Sequence, residues 1–126
     1  MNMFFTKCDT GGGCTALVNV KEDVEYIITD GDACAPSVES KHVELFITEF
    51  ITGKELFPSM KFKTLLEASH AAFVLSQIHK LQKIQKMNRP DSSAWLQASE
   101  LLAPLFEEMK TMYAQQRNML GGQCSL

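Results

Sequence analysis

The sequence lacks three features: a long uncharged apolar run, a run of basic residues and a closely spaced set of cysteines. Without an apolar run of bilayer length, no membrane-spanning helix is expected and the chain is predicted to be soluble. Four cysteines in 126 residues are too few for a small secreted disulfide scaffold. The N-terminus shows no basic segment followed by an apolar core, so no signal peptide is expected. These absences predict a cytoplasmic protein.

The charge is small, acidic and unevenly distributed. The net charge is −3, and residues 1–63 hold ten acids against six Lys and Arg, whereas residues 64–126 hold five against six. Binding to a phosphate backbone requires clustered basic side chains, and the first half has the opposite balance. This composition disfavours direct binding to nucleic acid.

The chain also lacks the local motifs of common enzymes. Asp9 begins an Asp-Thr-Gly triplet, as in aspartic proteases, but the segment before it is not apolar and the second half is helical in pattern. The glycines at 11–13 lead into a strand pattern, whereas a phosphate-binding loop leads into a helix. No nucleophile motif is present. We therefore expect a protein that is not an enzyme.

The spacing of the possible metal ligands also differs from that of common metal sites. Cys8 and Cys14 are six positions apart, wider than a zinc knuckle, and no second Cys/His pair has ligand spacing. Asp30 and Asp32 begin a segment that lacks the later ligands of a calcium loop. His70 and His79 are nine positions apart, which places them on opposite faces of one helix. No metal and no cofactor are predicted.

The first half has the alternating apolar and polar pattern of antiparallel strands. Short runs with this pattern are separated by Gly, Pro and charged turns. The predicted strands are 4–7, 15–20, 24–29, 42–51 and, returning through a turn at 52–54, 56–63.

From Thr64 the apolar period becomes helical. Thr64 and Glu67 form the sequence signature of a capping box at the start of a helix. Its predicted apolar stripe is Ala71, Val74, Leu75, Ile78 and Leu81. Pro90 is expected to end this helix, and Asp91, Ser92 or Ser93 to cap a second one. The second stripe runs through Trp95, Leu102, Leu105, Met109, Met112 and Leu120 to Gly121-Gly122, and Pro104 is expected to kink or split that helix.

These elements predict an α+β fold in one domain. We expect an antiparallel meander of four to five strands over residues 1–63, followed by an αα-hairpin over 64–126 that packs on one face of the sheet. Phe46 and Phe50 are predicted on the other face, opposite Val43, Leu45, Ile47 and Ile51. There they are either exposed, as a contact for a partner, or covered by the loop 33–41 or the N-terminal strand.

The segment 9–13 is best interpreted as a five-residue hairpin loop. In this interpretation Asp9 and Thr10 bond backbone amides, and the glycines adopt positive φ. Cys8 and Cys14 are then roughly opposite each other on two strands, and a reversible disulfide between them is an alternative to free thiols.

The segment "DTGGGCTALV", followed by "YIITDGDACAP", resembles small uncharacterised proteins of bacteriophages and prophages, over roughly residues 3–50. This resemblance implies a setting in the cytoplasm of a bacterial host. It also implies a mode of action, since small phage proteins such as anti-CRISPR and other anti-defence proteins bind and disable a bacterial protein.

The leading functional hypothesis is a non-enzymatic inhibitor that binds a bacterial protein or complex, such as a CRISPR-Cas complex. The acidic side chains could contact a basic surface of that partner, with the two aromatic rings as apolar anchors. The predicted contact residues are Glu22, Asp23, Glu25, Asp30, Asp32, Phe46 and Phe50. A module that binds a small molecule or nucleotide through loops 9–13 and 29–33 is the main alternative. A structural or regulatory phage protein, a homodimer and an ordinary solvated acidic face also remain open.

Overall fold

A computed structural model describes residues 5–11, 14–30 and 42–124. For residues 9–11, 14–15 and 117–124 it describes the backbone alone. The chain divides into two compact units, Met1–Ala72 and Phe73–Leu126. The sequence pattern changes from strands to helices earlier, at residue 64. The single domain inferred from the sequence stays a prediction.

The described residues of the first unit form a five-stranded antiparallel sheet. Each strand pairs with its neighbours in sequence, so the spatial order is the chain order. The strands are β1 (Thr6–Gly11), β2 (Cys14–Lys21), β3 (Val24–Asp30), β4 (Val43–Glu49) and β5 (Glu55–Phe62). Two helices follow, α1 (Leu65–Lys86) and α2 (Ser93–Cys124). The predicted α+β class, with a meander followed by two helices, is confirmed.

Alternation along the strands gives the sheet one strongly buried face. Tyr26 lies opposite Ile47, and Ile28 lies opposite Leu45, so large apolar side chains meet across β3 and β4. The other residues of β3 and β4 are mostly half-buried. The apolar residues buried on this face are Val24, Tyr26, Ile28, Val43, Leu45, Ile47, Met60 and Phe62. The alternation in sequence placed Val24, Tyr26 and Ile28 on one face of their strand, and Val43, Leu45 and Ile47 on one face of theirs.

The edge strand β5 carries a bulge. Leu45 pairs with Met60 and Ile47 pairs with Phe57, so Pro58 and Ser59 both stand opposite the single residue Phe46. Proline has no N–H to donate, and an edge strand is where its loss costs least. The proline and the bulge together make β5 a poor template for further strand pairing.

Thr64 caps α1, as its sequence signature predicts. The backbone N–H of Glu67 donates to Thr64 Oγ1 at 3.1 Å, which satisfies one of the free amides of the first turn. The Thr64 hydroxyl in turn donates to Glu67 Oε1 at 3.1 Å. The carboxylate therefore bonds the capping hydroxyl.

Replacing Thr64 by alanine is expected to lower the free energy of unfolding by about 1 kcal/mol, because the first-turn amide loses its acceptor. Urea denaturation of the purified protein measures this loss. Thr111→Ala is the matched control, since this exposed hydroxyl donates to the Glu107 carbonyl within α2 and alanine is the better helix former. Equal losses in the two variants would show that the cap does not stabilise α1.

Of the three predicted caps of α2, namely Asp91, Ser92 and Ser93, the structure shows Ser92 as the cap. The N–H of Trp95 donates to Ser92 Oγ at 3.3 Å, and the N–H of Leu96 donates to the Ser92 carbonyl at 2.9 Å. Asp91, with φ of 67°, forms the turn before the cap. Pro90 lies in the link, whereas α1 already ends at Lys86.

The second helix is longer than predicted. It runs as one element through Pro104, so of the two predicted effects of this proline, splitting the helix does not occur, and a kink stays a prediction. It also continues past Gly121 and Gly122 to Cys124. Proline removes one hydrogen bond and glycine costs about 1 kcal/mol relative to alanine, and neither loss is large enough to end a helix of 32 residues.

The second unit has its own buried apolar side chains. The predicted stripe of α1 is buried at every position, and on α2 the buried residues are fewer. Leu105, predicted as core, is only half-buried. The buried set is Val74, Leu75, Ile78, Leu81, Ala98, Leu102 and Met112. Neither described helix combines the length and the apolar character needed to cross a membrane.

Candidate functional site

The sheet has two ends, and they carry different groups. At one end lie the β2–β3 turn, Glu22 and Asp23, and the β4–β5 turn, residues 50–54. At the other end lie the link between β1 and β2 and the last residue of β3, Asp30. We call the first the turn end and the second the glycine end. Of the predicted contact residues, Glu22, Asp23 and Phe50 lie at the turn end.

The β2–β3 turn displays two acids in a fixed conformation. Lys21 pairs with Val24, so Glu22 and Asp23 form a two-residue hairpin connection. Their φ angles are 53° and 66°, as in the turn type whose twist matches that of the strands. Residues with a Cβ adopt positive φ at a cost, which is smallest for Asp and Asn. Both side chains are exposed, and the turn holds two carboxylates next to each other.

The β4–β5 turn is held by its own hydrogen bonds. The N–H of Glu49 donates to the Lys54 carbonyl at 2.8 Å, and the N–H of Gly53 donates to the Glu49 carbonyl at 2.8 Å. Gly53 has φ of 72°, which explains the glycine at this position. The Thr52 hydroxyl donates to Glu49 Oε1 at 3.0 Å and accepts from the N–H of Lys54 at 3.2 Å. The turn is therefore a defined structure before any partner binds.

A backbone hydrogen bond joins the two turns. The N–H of Phe50 donates to the Asp23 carbonyl at 2.8 Å, which extends the β3–β4 pairing by one step. The Phe50 side chain is 53% exposed, and Ile51 beside it is 82% exposed. At the end of β2, Val20 is 48% exposed. We call Val20, Glu22, Asp23, Phe50 and Ile51 the turn-end patch.

Ile51 was misplaced by the sequence pattern. The alternation of β4 predicted it on the buried face with Val43, Leu45 and Ile47, but β4 ends at Glu49. Beyond the strand, the alternation no longer determines which way a side chain points. The most exposed of the large apolar residues described is therefore one that the sequence assigned to the core.

Glu25 and Phe46 lie on the less buried face of the sheet, and Glu25 stands opposite Val20 of the turn-end patch. Glu25 stands opposite Thr48, and Phe46 stands opposite Ile27 on the same face. Both residues are half-buried. Of the two predicted aromatic anchors, Phe50 is thus the more accessible. The proposed covering loop 33–41 lies outside the described residues.

Asp30 lies at the opposite end of β3 from Glu22 and Asp23. It ends β3, whereas Glu22 and Asp23 precede the start of that strand. Seven residues of strand span about 20 Å. Asp32 lies outside the described residues. The acids that the sequence grouped on one face therefore include at least one at the opposite end of the sheet.

The chain turns within the segment 9–13, but the flanking strands β1 and β2 extend further into this segment than predicted. Asp9, Thr10 and Gly11 belong to β1, so the five-residue loop is wrong, and the link between strands comprises residues 12 and 13. The expected roles of the Asp9 and Thr10 side chains, and of Gly12 and Gly13, lie outside what is described. Cys8 stands opposite Ala16, and Cys14 opposite Gly11. The expectation that the two cysteines face each other is wrong, and Cys8 is a free, exposed thiol.

Groups of metal-ligating side chains do not occur in the described ranges. No three His, Cys, Asp or Glu side chains come together there as metal ligands would.

The chain matches no protein-family model, no curated protein and no solved structure.

Proposed function

We propose that this chain is a non-enzymatic protein-binding inhibitor whose contact surface is the turn-end patch. One observation carries the proposal: Phe50 and Ile51 are exposed on a turn whose conformation is held by its own hydrogen bonds. A turn that already has a defined backbone conformation loses little further backbone entropy when a partner covers it. A few side chains buried in pockets of the partner supply most of the binding energy of a typical protein interface.

The charges around the patch favour a partner with basic residues around an apolar pocket. Near the two turns the chain has five acids and two lysines, namely Glu22, Asp23, Glu25, Glu49, Glu55, Lys21 and Lys54. These acids would attract a basic partner and so raise its association rate, and they would repel proteins with acidic surfaces. Basic surfaces of this type are typical of proteins that bind nucleic acid. Together with the resemblance to phage proteins, this favours a bacterial defence complex as the partner, met in the host cytoplasm.

The alternative is a module that binds a small molecule or nucleotide at the glycine end. Gly11, the last residue of β1, and Asp30, the last residue of β3, lie at the same end of the sheet, which supports this alternative. A thermal-shift screen with nucleotides tests this alternative. A rise in melting temperature on nucleotide addition, with no protein partner found, would favour it over the inhibitor.

The inhibitor proposal is tested by neutralising the two acids of the β2–β3 turn. A partner is captured from a bacterial lysate, identified and purified, and its binding kinetics are measured at low and high salt. The double variant Glu22→Gln, Asp23→Asn keeps the side-chain shapes, and asparagine accepts positive φ well. We expect association several-fold slower at low salt and nearly unchanged at high salt, because salt screens exposed charges.

Asp91→Asn is a closely matched control, since Asp91 is also exposed and has φ of 67° but lies in the other unit. It should leave association unchanged. If the double variant associates as fast as the wild type at low salt, the acids of the turn end do not face the partner.

A further inference from the structure

Among the described strands, β1 forms one edge of the sheet. Within the described part of the chain, β1 pairs on one side only, with β2. Thr6, Lys7 and Cys8 are exposed. The opposite edge, β5, carries Pro58 and a bulge, whereas β1 contains no proline. Unpaired backbone groups along an edge can pair with another strand.

The residues of β1 are complementary to their own copy in one register. Two copies of a strand that pair antiparallel about a two-fold axis place one residue opposite itself, since opposite residues share a face. A register centred on Lys7 opposes two lysines, and one centred on Asp9 opposes two aspartates. A register centred on Cys8 instead places each lysine opposite an aspartate of the other copy. Charge therefore selects the register centred on Cys8.

We propose that β1 pairs antiparallel with β1 of a second copy of this chain, centred on Cys8, so that the two sheets become continuous across a two-fold axis. The pairing uses the regular part of the strand, because the register of β1 with β2 is irregular between Asp9 and Gly11. So short a contact buries little surface, and we expect a weak dimer that forms at high protein concentration. The interface is independent of the turn-end patch.

The first test exchanges the two charges. Light scattering over a concentration series measures the dissociation constant of the dimer against the monomer mass of 14.1 kDa. Lys7→Asp and Asp9→Lys, each alone, place like charges opposite each other twice and should weaken the dimer about tenfold. The double variant restores opposite charges in exchanged positions and should recover the wild-type constant. Lys54→Asp, at the turn end, should change nothing.

The second test leaves positions 7 and 9 unchanged. A variant that keeps Cys8 as its single cysteine, with serine at 14, 34 and 124, is treated with a short bismaleimide that joins neighbouring thiols. Because Cys8 is a free thiol and would stand opposite its own copy, we expect efficient formation of a covalent dimer. The control has serine at all four of these positions and Lys54→Cys, and should react with the reagent without dimerising.

Three results would overturn the proposal. The first is a wild-type protein that stays monomeric at every concentration. The second is a dimer that the single charge variants do not weaken or the double variant does not restore. The third is cross-linking at Cys8 no greater than at position 54. A partner protein that binds equally well to a dimer and to a monomeric variant would leave the inhibitor proposal standing, so the two can fail separately.

Discussion

Replacing Leu75 by alanine is expected to lower the free energy of unfolding by about 2 to 5 kcal/mol, a large part of the stability of a protein of this size. Leu75 is fully buried in α1. Removing most of its side chain loses the transfer free energy of the apolar atoms and leaves a cavity that the neighbouring side chains fill only in part. Chemical denaturation followed by circular dichroism measures the change.

The same substitution at Leu66 is the matched control. Leu66 lies on the same helix but is 66% exposed, and alanine is at least as good a helix former as leucine. We expect a change within about 0.5 kcal/mol there. If Leu75→Ala costs no more than Leu66→Ala, the buried stripe of α1 does not contribute to stability as its burial implies.

Replacing Ile51 by serine is expected to speed dissociation of the partner about 30-fold or more, which corresponds to the loss of a binding hot spot of about 2 kcal/mol. Ile51 is the more exposed of the two apolar side chains on the β4–β5 turn. Burial in an apolar pocket of the partner would remove most of that surface from water. Phe50→Ala should act in the same direction. The association rate should change little, since neither residue carries charge.

Leu101→Ser is the control for this prediction. Leu101 is an exposed leucine of the second unit, at 52%, and its replacement removes similar apolar surface away from the patch. Surface-plasmon resonance with the purified partner gives the dissociation rates, and thermal denaturation verifies that each variant is folded. Equal dissociation rates for wild type and Ile51→Ser would remove the β4–β5 turn from the interface.

The strands and helices follow from local patterns, which explains why they could be predicted. Val24, Tyr26 and Ile28 alternate with Glu25, Ile27 and Thr29, two of which are polar, and this period of two is typical of a strand with one buried face. The start of α1 is similarly local, because Thr64 and Glu67 satisfy the first turn within four residues. In such segments the sequence neighbours are also the structural neighbours.

The errors occur where strands or helices end. In the sequence, Ile51 continues the alternation of β4. In the structure, the strand ends at Glu49, where the backbone hydrogen bonds of Glu49 and Gly53 form the turn. Gly11 is a turn-forming residue by propensity, yet it pairs with Cys14 of β2 and lengthens β1. Element ends depend on pairing with another strand, and propensity alone does not contain that information.

The candidate site was predicted only in part, since it depends on contacts between strands. Glu22 and Asp23 are 27 or more positions from Phe50, and only the register of β3 with β4 brings the two turns together. The same register sends Asp30 to the opposite end of the sheet. Composition alone shows an acidic first half, but it cannot show which acids are neighbours.

The strictly sequential pairing of the five strands has a consequence for how the chain folds. Every strand pairs with the strand just made, so contact order within the sheet is low and each closing step loses little chain entropy. The longest such step spans the twelve positions between Asp30 and Val43. During synthesis, each hairpin can therefore form soon after its second strand leaves the ribosome, and the β4–β5 turn can be in place before the second helix has been translated.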